Sequence, residues 1–334
     1  MSSPSFLEEP LLGTIDRQVP RAVATLDGVS HEDLDSITRQ KLILDAVRAF
    51  DLEENVTTQW YLHGDVAVKG KASNRTGSAV LEVPDATGSD IPSSEDVYHY
   101  FTEQRDEYVR EALRTETFDW LETYYTETER LPFATVYRSG LQIYATLHRL
   151  RRAVIEQNPA LIPEDIERTV AEGCEELKRS LVGYYIFRDV PPYVATFQTA
   201  TEPLLRWVDS VTWSDADEEL SSHYDITNYL YELFYDGVWK ACGQQMSYNT
   251  VTGPSADDTR ARREREAREQ KNRFRVRIDQ LDLASDGIDV TVSANVDQLP
   301  DLEALDGDTE PTVPREELNP IPDDDPVYDL FDDE

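Results

Sequence analysis

Apolar residues in the middle of the chain return at the interval of an α-helix. Ile143, Leu147, Leu150 and Val154 step by four, three and four, and Ile166, Val170, Cys174, Leu177 and Leu181 repeat the interval. Such stripes are stable only when another face covers them, so this region predicts helix packed on helix. Pro163 suits a first helical position, with Glu164 and Asp165 near the positive end of the second helix. Upstream, Ser94-Glu95-Asp96 opens a long amphipathic stretch to about residue 128, with Tyr98, Phe101, Tyr108, Leu113, Phe118, Leu121 and Tyr125 as core candidates. Asp106 and Arg110 sit at a favourable i,i+4 spacing. Leu131-Pro132 breaks that stretch, and Pro191-Pro192 ends the next unit. Helices near 195–210 and 217–247 follow, the second carrying Tyr229, Leu230, Leu233, Phe234, Val238 and Trp239.

The flanks read differently. Residues 1–30, with Pro4, Pro10 and Pro20, predict an extended arm. Residues 31–94 predict a small α/β module. Its helical part holds Leu34, Ile37, Leu42, Ile43, Ala46, Val47 and Phe50, as two short helices or one broken one. A hairpin follows over 56–69, in which Trp60, Leu62, Val66 and Val68 alternate around His63-Gly64-Asp65. A further strand spans 78–83, and 84–94 form a linker. Arg39 to Val47 and then Val56 to Tyr61 give a helix, a turn and an incoming strand. Over about 50 residues this is similar in outline to winged-helix modules of transcription regulators, and the same pattern also fits an ordinary packed α/β element.

Beyond the helical domain at 95–255 comes an Arg-rich segment with a β-hairpin over 256–296. Ile288, Val290, Val292, Ala294 and Val296 alternate with polar residues after the turn signal Asp286-Gly287. Phe274, Val276 and Ile278 share one parity and Leu281 and Leu283 the other, which predicts a bulge or a strand end near 279–280. Residues 297–334 hold 15 acidic residues and six prolines, the composition of a disordered acidic tail.

The whole chain of 334 residues carries 67 acidic against 32 basic side chains, a net charge of −35, and 26 of the basic residues are Arg. That charge repels itself at low salt and is screened at molar salt, where the Debye length falls to about 3 Å. Excess carboxylate, Arg over Lys and 39% apolar content resemble the composition of haloarchaeal proteins and those of their plasmids and viruses. On that reading the acidity answers the solvent rather than a basic partner. Seventeen Tyr, ten Phe and five Trp argue against disorder of the whole chain. No apolar run reaches the ~18 residues of a membrane span, and Met1 to Pro10 lacks the pattern of a secretory signal. The expectation is a cytoplasmic protein without a membrane partner.

One segment breaks the acidic background. Arg260, Arg262, Arg263, Arg265, Arg268, Lys271, Arg273, Arg275 and Arg277 lie within 18 positions with only three Glu, a local charge of +6. Arg and Lys in such density can neutralise phosphates or an acidic partner. As a strand, the segment would point Arg273, Arg275 and Arg277 from one face, as in a β-ribbon reader. As a helix it would pair Glu264 with Arg268 and stand as a solvated face. A second candidate is Tyr328, Leu330 and Phe331, bulky residues within the acidic tail and suited to a short docking motif.

Catalytic and metal constellations do not form. His63-Gly64-Asp65 and His223-Tyr224-Asp225 share a His-x-Asp spacing, yet an Asp near a His is expected in so acidic a chain. His148 reads as helix surface. Cys174 sits in an apolar stripe; Cys242 has Lys240 nearby, which could lower its pKa. No phosphate-binding loop, dinucleotide fingerprint or nucleophile elbow occurs. The sequence therefore predicts an α+β, predominantly helical protein with a small N-terminal β element, a central helical block, a C-terminal β-hairpin and a disordered acidic tail. It predicts no cofactor and no metal. The expected role is non-enzymatic interaction or assembly, through a protein partner or self-assembly; the alternative is a nucleic-acid-associated regulator.

Overall fold

The computed structural model describes residues 5–67, 92–127, 133–211, 223–288 and 290–302. Among the described residues it is predominantly helical with one small antiparallel sheet. The helices are α1 (Ser5–Val23), α2 (Ser36–Ala49), α3 (Ser94–His99), α4 (Asp106–Arg114), α5 (Thr117–Glu127), α6 (Ala134–Ile155), α7 (Ile166–Val182), α8 (Pro191–Ser210), α9 (Tyr224–Glu232), α10 (Lys240–Thr250), α11 (Ala256–Arg268) and α12 (Gln270–Ser285). π-Helical segments follow α3 (Tyr100–Gln104) and α9 (Leu233–Trp239). The chain divides into two compact units, residues 1–121 with 250–261, and residues 122–249 with 262–334.

In the first unit the expected extended arm is a helix. Pro10 and Pro20 lie within α1, and each forfeits a backbone donor. Leu11, Leu12, Ile15, Val19, Ala22 and Val23 are all buried against Leu42, Ile43, Ala46, Val47, Val97 and Phe101. Each large aliphatic residue buried there returns about 1.5–3 kcal/mol, which outweighs the prolines. The expected hairpin forms, β1 (Thr58–Tyr61) against β2 (Gly64–Ala67), with Trp60 opposite Asp65. Gly64 turns it at φ +86°. Val68 and the expected strand at 78–83 lie outside the described residues. The α2 helix begins at Asp35, whose carboxylate accepts from the backbone of Ile37 and Thr38. The long helix expected from residue 95 is broken at Arg105 and again at 115–116. Its start is sealed by a capping box between Ser93 and Asp96, and the Asp106–Arg110 pair forms at 2.6 Å.

A clasp joins distant parts of this unit. Glu8 is buried; its carboxylate accepts from the Thr57 backbone and from the Ser255 hydroxyl, while Thr57 Oγ1 accepts from the Ser255 backbone. Thr58 and Thr252 exchange backbone bonds beside it. Gly253, at φ +98°, comes so close that a Cβ would stand 2.5 Å from the Val56 carbonyl oxygen.

In the second unit the expected stripes are found in place. Ile143, Leu147, Leu150 and Val154 on α6, and Ile166, Val170, Cys174, Leu177 and Leu181 on α7, are all buried. The α7 helix starts at Ile166 rather than Pro163, and its first amides are capped by the Asp209 carboxylate from α8 at 3.0 and 2.9 Å. Pro191-Pro192 does not end a unit; the pair opens α8, where a missing N–H costs nothing.

The expected C-terminal hairpin is absent, and 270–285 form α12 instead. Buried residues run Arg263, Ala267, Gln270, Phe274, Ile278, Leu281, Ser285, a helical spacing through α11 and α12. Val276 and Leu283, two of the residues assigned to the first strand, are 45% and 73% exposed. Asp286 to Ile288 form a 3-10 turn, and 290–295 hold no regular structure. That segment returns along α12 as a strap, burying Val292, Val296, Leu299 and Leu302. The expected acidic tail lies, from residue 303, outside the described residues.

Candidate functional site

The Arg-rich segment folds as α11 and the first half of α12. It holds no Gly or Pro, and its Glu residues stand three or four positions from Arg, which favours helix. A helix turns 100° per residue, so Arg273, Arg275 and Arg277 do not share a face as they would on a strand. The β-ribbon reading therefore falls with the hairpin.

Most of these cations meet carboxylates of the chain itself. In the first unit Arg260 pairs with Asp257 at 3.1 Å and donates to the Val251 carbonyl. In the second unit Arg263 is 5% exposed, donates to Ser247 Oγ at 2.8 Å and pairs with Glu266 at 2.6 Å. Arg268 pairs with Glu264, and Arg273 with Glu269 at 2.7 Å. Arg275 reaches Asp297 at 2.6 Å, and Lys271 reaches Asp301 at 3.6 Å, both on the strap. Arg277 turns inward to Glu232 and Asp236. On α11, Arg262 is half-buried, and Arg265 is exposed with no acidic partner among the described residues.

Asp236 belongs to the π-helical segment and ties the segment to α12. Burial pushes its carboxyl up, but hydrogen bonds from Lys240 and Arg277 outweigh burial and hold it below the ordinary carboxylate range. Within the π-helical segment the carbonyls of Asp236 and Gly237 both accept from Gln270 Nε2, at 2.6 Å each. Gln244 Nε2 in turn donates to Gln270 Oε1 at 3.0 Å. The fit is close: a Cβ on Gly237 would stand 2.5 Å from Phe274, and one on Gly140 would stand 2.1 Å from Trp239.

The end of α9 and the π-helical segment carry aromatic side chains that the sequence reading passed over. Tyr231 and Tyr235 stack with ring centroids 5.8 Å apart. The Arg151 guanidinium lies 5.0 Å over Tyr231, and the Lys240 ammonium 5.0 Å over Tyr235. Behind them Tyr144 and Tyr231 share a hydroxyl hydrogen bond of 2.7 Å, and His148 stacks on Tyr144. Burial, and then Arg151, Arg152 and Arg149, lower the His148 pKa, so its ring is neutral at pH 7. Tyr231 and Tyr235 remain half-buried, so the cation–tyrosine–tyrosine–cation ladder has an outer edge. A Tyr pair four residues apart, with Lys240 following, was the available signal.

The remaining candidates gain no chemistry. Burial pushes the Cys174 thiol up to about 12. Cys242 is fully buried and its thiol is also pushed up, while Lys240 is engaged with Asp236 and the Tyr235 ring. His223 packs edge-on against Trp207. Among the described residues, no three His, Cys, Asp or Glu side chains gather as metal ligands, and no helix is long and apolar enough to cross a membrane. Tyr328, Leu330 and Phe331 lie outside the described residues.

Comparison with known proteins gives a family and little beyond it. No curated protein and no solved structure matches the chain. A family profile matches residues 82–306, which take in every helix from α3 to α12 and the strap that returns along α12. The chain belongs to the family described as a domain of unknown function, DUF8098.

Proposed function

We propose that this chain is a non-enzymatic interaction or assembly protein of a salt-adapted, haloarchaeal-like cell, plasmid or virus. The observation that carries the reading is the ladder of Arg151, Tyr231, Tyr235 and Lys240. Tyr and Arg dominate the energetics of protein interfaces, because a rigid aromatic body gives large contact area at little entropic cost. The ladder sits on a helix pair stiffened by the glutamine network and by close glycine contacts, so its edge is preorganised. The pairing of the Arg-rich helix supports the same reading. Cations already engaged with carboxylates release fewer counterions when phosphate replaces them, which weakens the nucleic-acid alternative.

The test is the assembly state in 2 M KCl, by light scattering and by pull-down from a cell extract. The wild-type chain forms an oligomer or retains a partner, and Tyr235→Ala with Arg151→Ala weakens that association tenfold or more, about 1.4 kcal/mol. A strict monomer that retains nothing overturns the reading. Binding of duplex DNA at moderate salt, lost on Arg265→Glu with Arg268→Glu, would replace it with the regulator reading.

A further inference from the structure

One side of α12 buries Phe274, Ile278, Leu281 and Ser285, and the opposite side turns two large apolar residues outward, Val276 at 45% and Leu283 at 73% exposure. They stand seven positions apart, two helical turns, and so lie on one stripe. The stripe begins in α11. Exposed residues run from Arg265 through Arg268, Asn272, Val276, Asp279 and Leu283 to Asp286, always at steps of three or four. All of them belong to the second unit. The strap binds the flank beside the stripe, where Arg275 reaches Asp297 and Lys271 reaches both the Asp297 carbonyl and Asp301. The stripe itself stays exposed.

Charge divides along this stripe. Its first half is the Arg-rich segment; beyond Arg277 come Asp279, Asp282 and Asp286, with no basic residue up to Ile288. These three carboxylates are exposed and make no ion pair among the described residues. On the basic half Arg268 stays 64% exposed while holding Glu264, and Arg275 stays 45% exposed while holding Asp297. A helix that is basic first and acidic last is complementary to its own reverse. About a two-fold axis in an antiparallel pair, each residue before the axis meets one equally far beyond it. An axis at residue 277 sets Arg275 against Asp279 at two positions, Asn272 against Asp282 at five, and Arg268 against Asp286 at nine. Arg268, Arg275, Asp279 and Asp286 are spaced by seven, four and seven, so they share one flank, and the two-fold brings like flanks together. Val276 then stands beside the axis, where it meets Val276 of the second copy. Leu283 lands on aliphatic stems of the basic half.

We propose that the outward stripe of α11 and α12 is a self-complementary surface on which a second copy of this chain packs antiparallel, about a two-fold axis beside Val276. A second copy fits better than an unlike partner because the stripe itself supplies both signs of charge, in reversed order. Two chains of −35 repel as wholes at low salt. Molar salt screens that repulsion beyond about 3 Å and spares the pairs in contact, so the association strengthens as salt rises. The contact uses neither Arg151 nor Tyr235, and it stands or falls apart from the tyrosine ladder.

Disulfide trapping tests this on the full chain in 2 M KCl, with oxygen and copper phenanthroline as oxidant. Cys174 and Cys242 are buried, so an introduced surface thiol reacts alone. Val276→Cys, beside the axis, is expected to give a disulfide-linked dimer on a non-reducing gel. Leu283→Cys lies on the same stripe and is the more exposed, so random collision would favour it. Its two copies stand about 18 Å apart along the helices in the proposed register, beyond the reach of a disulfide, and it is expected to stay monomeric. Arg268→Glu alone and Asp286→Arg alone, both at exposed positions, are each expected to slow the Val276→Cys link about tenfold by setting like charges together. Combining the two restores it. The link is expected to persist alongside Tyr235→Ala with Arg151→Ala, and its failure leaves the ladder reading standing. Four results overturn the proposal: no link at Val276→Cys, an equally fast link at Leu283→Cys, no rescue by the charge swap, or loss of the link with the ladder variant.

Discussion

Gln270 holds a position that few side chains could fill. It is fully buried, donates to two carbonyls of the π-helical segment, and accepts from Gln244. Gln270→Leu keeps the volume and removes all three bonds, leaving the buried Gln244 amide without this acceptor. The expected loss is ~3 kcal/mol, read as a lower denaturant midpoint at unchanged slope. Gly140 is constrained by space rather than by backbone angle, since Trp239 occupies the place of a Cβ. Gly140→Ala is expected to cost about 1–3 kcal/mol by overpacking, and Trp239 fluorescence reports the displacement. At His63 the constraint is electrostatic. Burial and then Lys41 depress its pKa from 6.5 to about 4, against a smaller opposing pull from Asp35. The folded state keeps His63 neutral while the unfolded state takes up a proton below about pH 6.5. Its contribution to stability is therefore present above pH 6.5 and lost as pH falls toward 4. His63→Gln is expected to flatten the difference in stability between pH 7 and pH 5, measured by denaturation at fixed salt.

At the level of elements, legibility followed the uniqueness of a period. The α6 and α7 stripes were readable because four-three-four spacing has no strand equivalent, and every residue assigned to them is buried. The hairpin at 58–67 was readable from alternation and Gly64. The α12 helix was not, because Phe274 and Ile278, four apart, satisfy both periods, and Arg273, Arg275 and Arg277 between them imitate an alternating strand. Only the packing of Leu281 and Ser285 in line with them decides the case. Val276→Pro tests the assignment: within a helix it costs about 3 kcal/mol or more and lowers the helical circular dichroism signal. The α1 helix was hidden by its prolines. The Arg-rich segment was visible by composition and its local Glu264–Arg268 pair by spacing, whereas its distant pairs were not. Asp236 lies 41 positions from Arg277, and Asp297 lies 22 from Arg275. Nothing local announces such partners. The tyrosine ladder was missed because Tyr231 and Tyr235 were passed over for their apolar neighbours Leu230, Leu233 and Phe234, which form the core beneath.

For the whole molecule, charge sets the working conditions. A net −35 on 334 residues favours expansion until salt screens it. The melting temperature is expected to rise by ~10 °C or more between 0.2 and 2 M KCl, which for a chain of this size corresponds to a few kcal/mol. A chain equally stable in dilute buffer would remove the salt-adapted reading and recast its carboxylates as a binding surface. Chain order sets a second condition. Glu8, on the first helix, finds its hydroxyl donor at Ser255, and the unit that holds both takes in residues 250–261. During synthesis the leading 121 residues leave the ribosome with this carboxylate half-satisfied. They wait while about 130 more are added, on the order of ten seconds at ordinary elongation rates. The N-terminal unit is thus begun first and completed after the helices α6 to α10 have emerged, and a nascent chain halted before Val251 would leave the Glu8 carboxylate and the Thr57 hydroxyl without their Ser255 partners, open to any chaperone standing by.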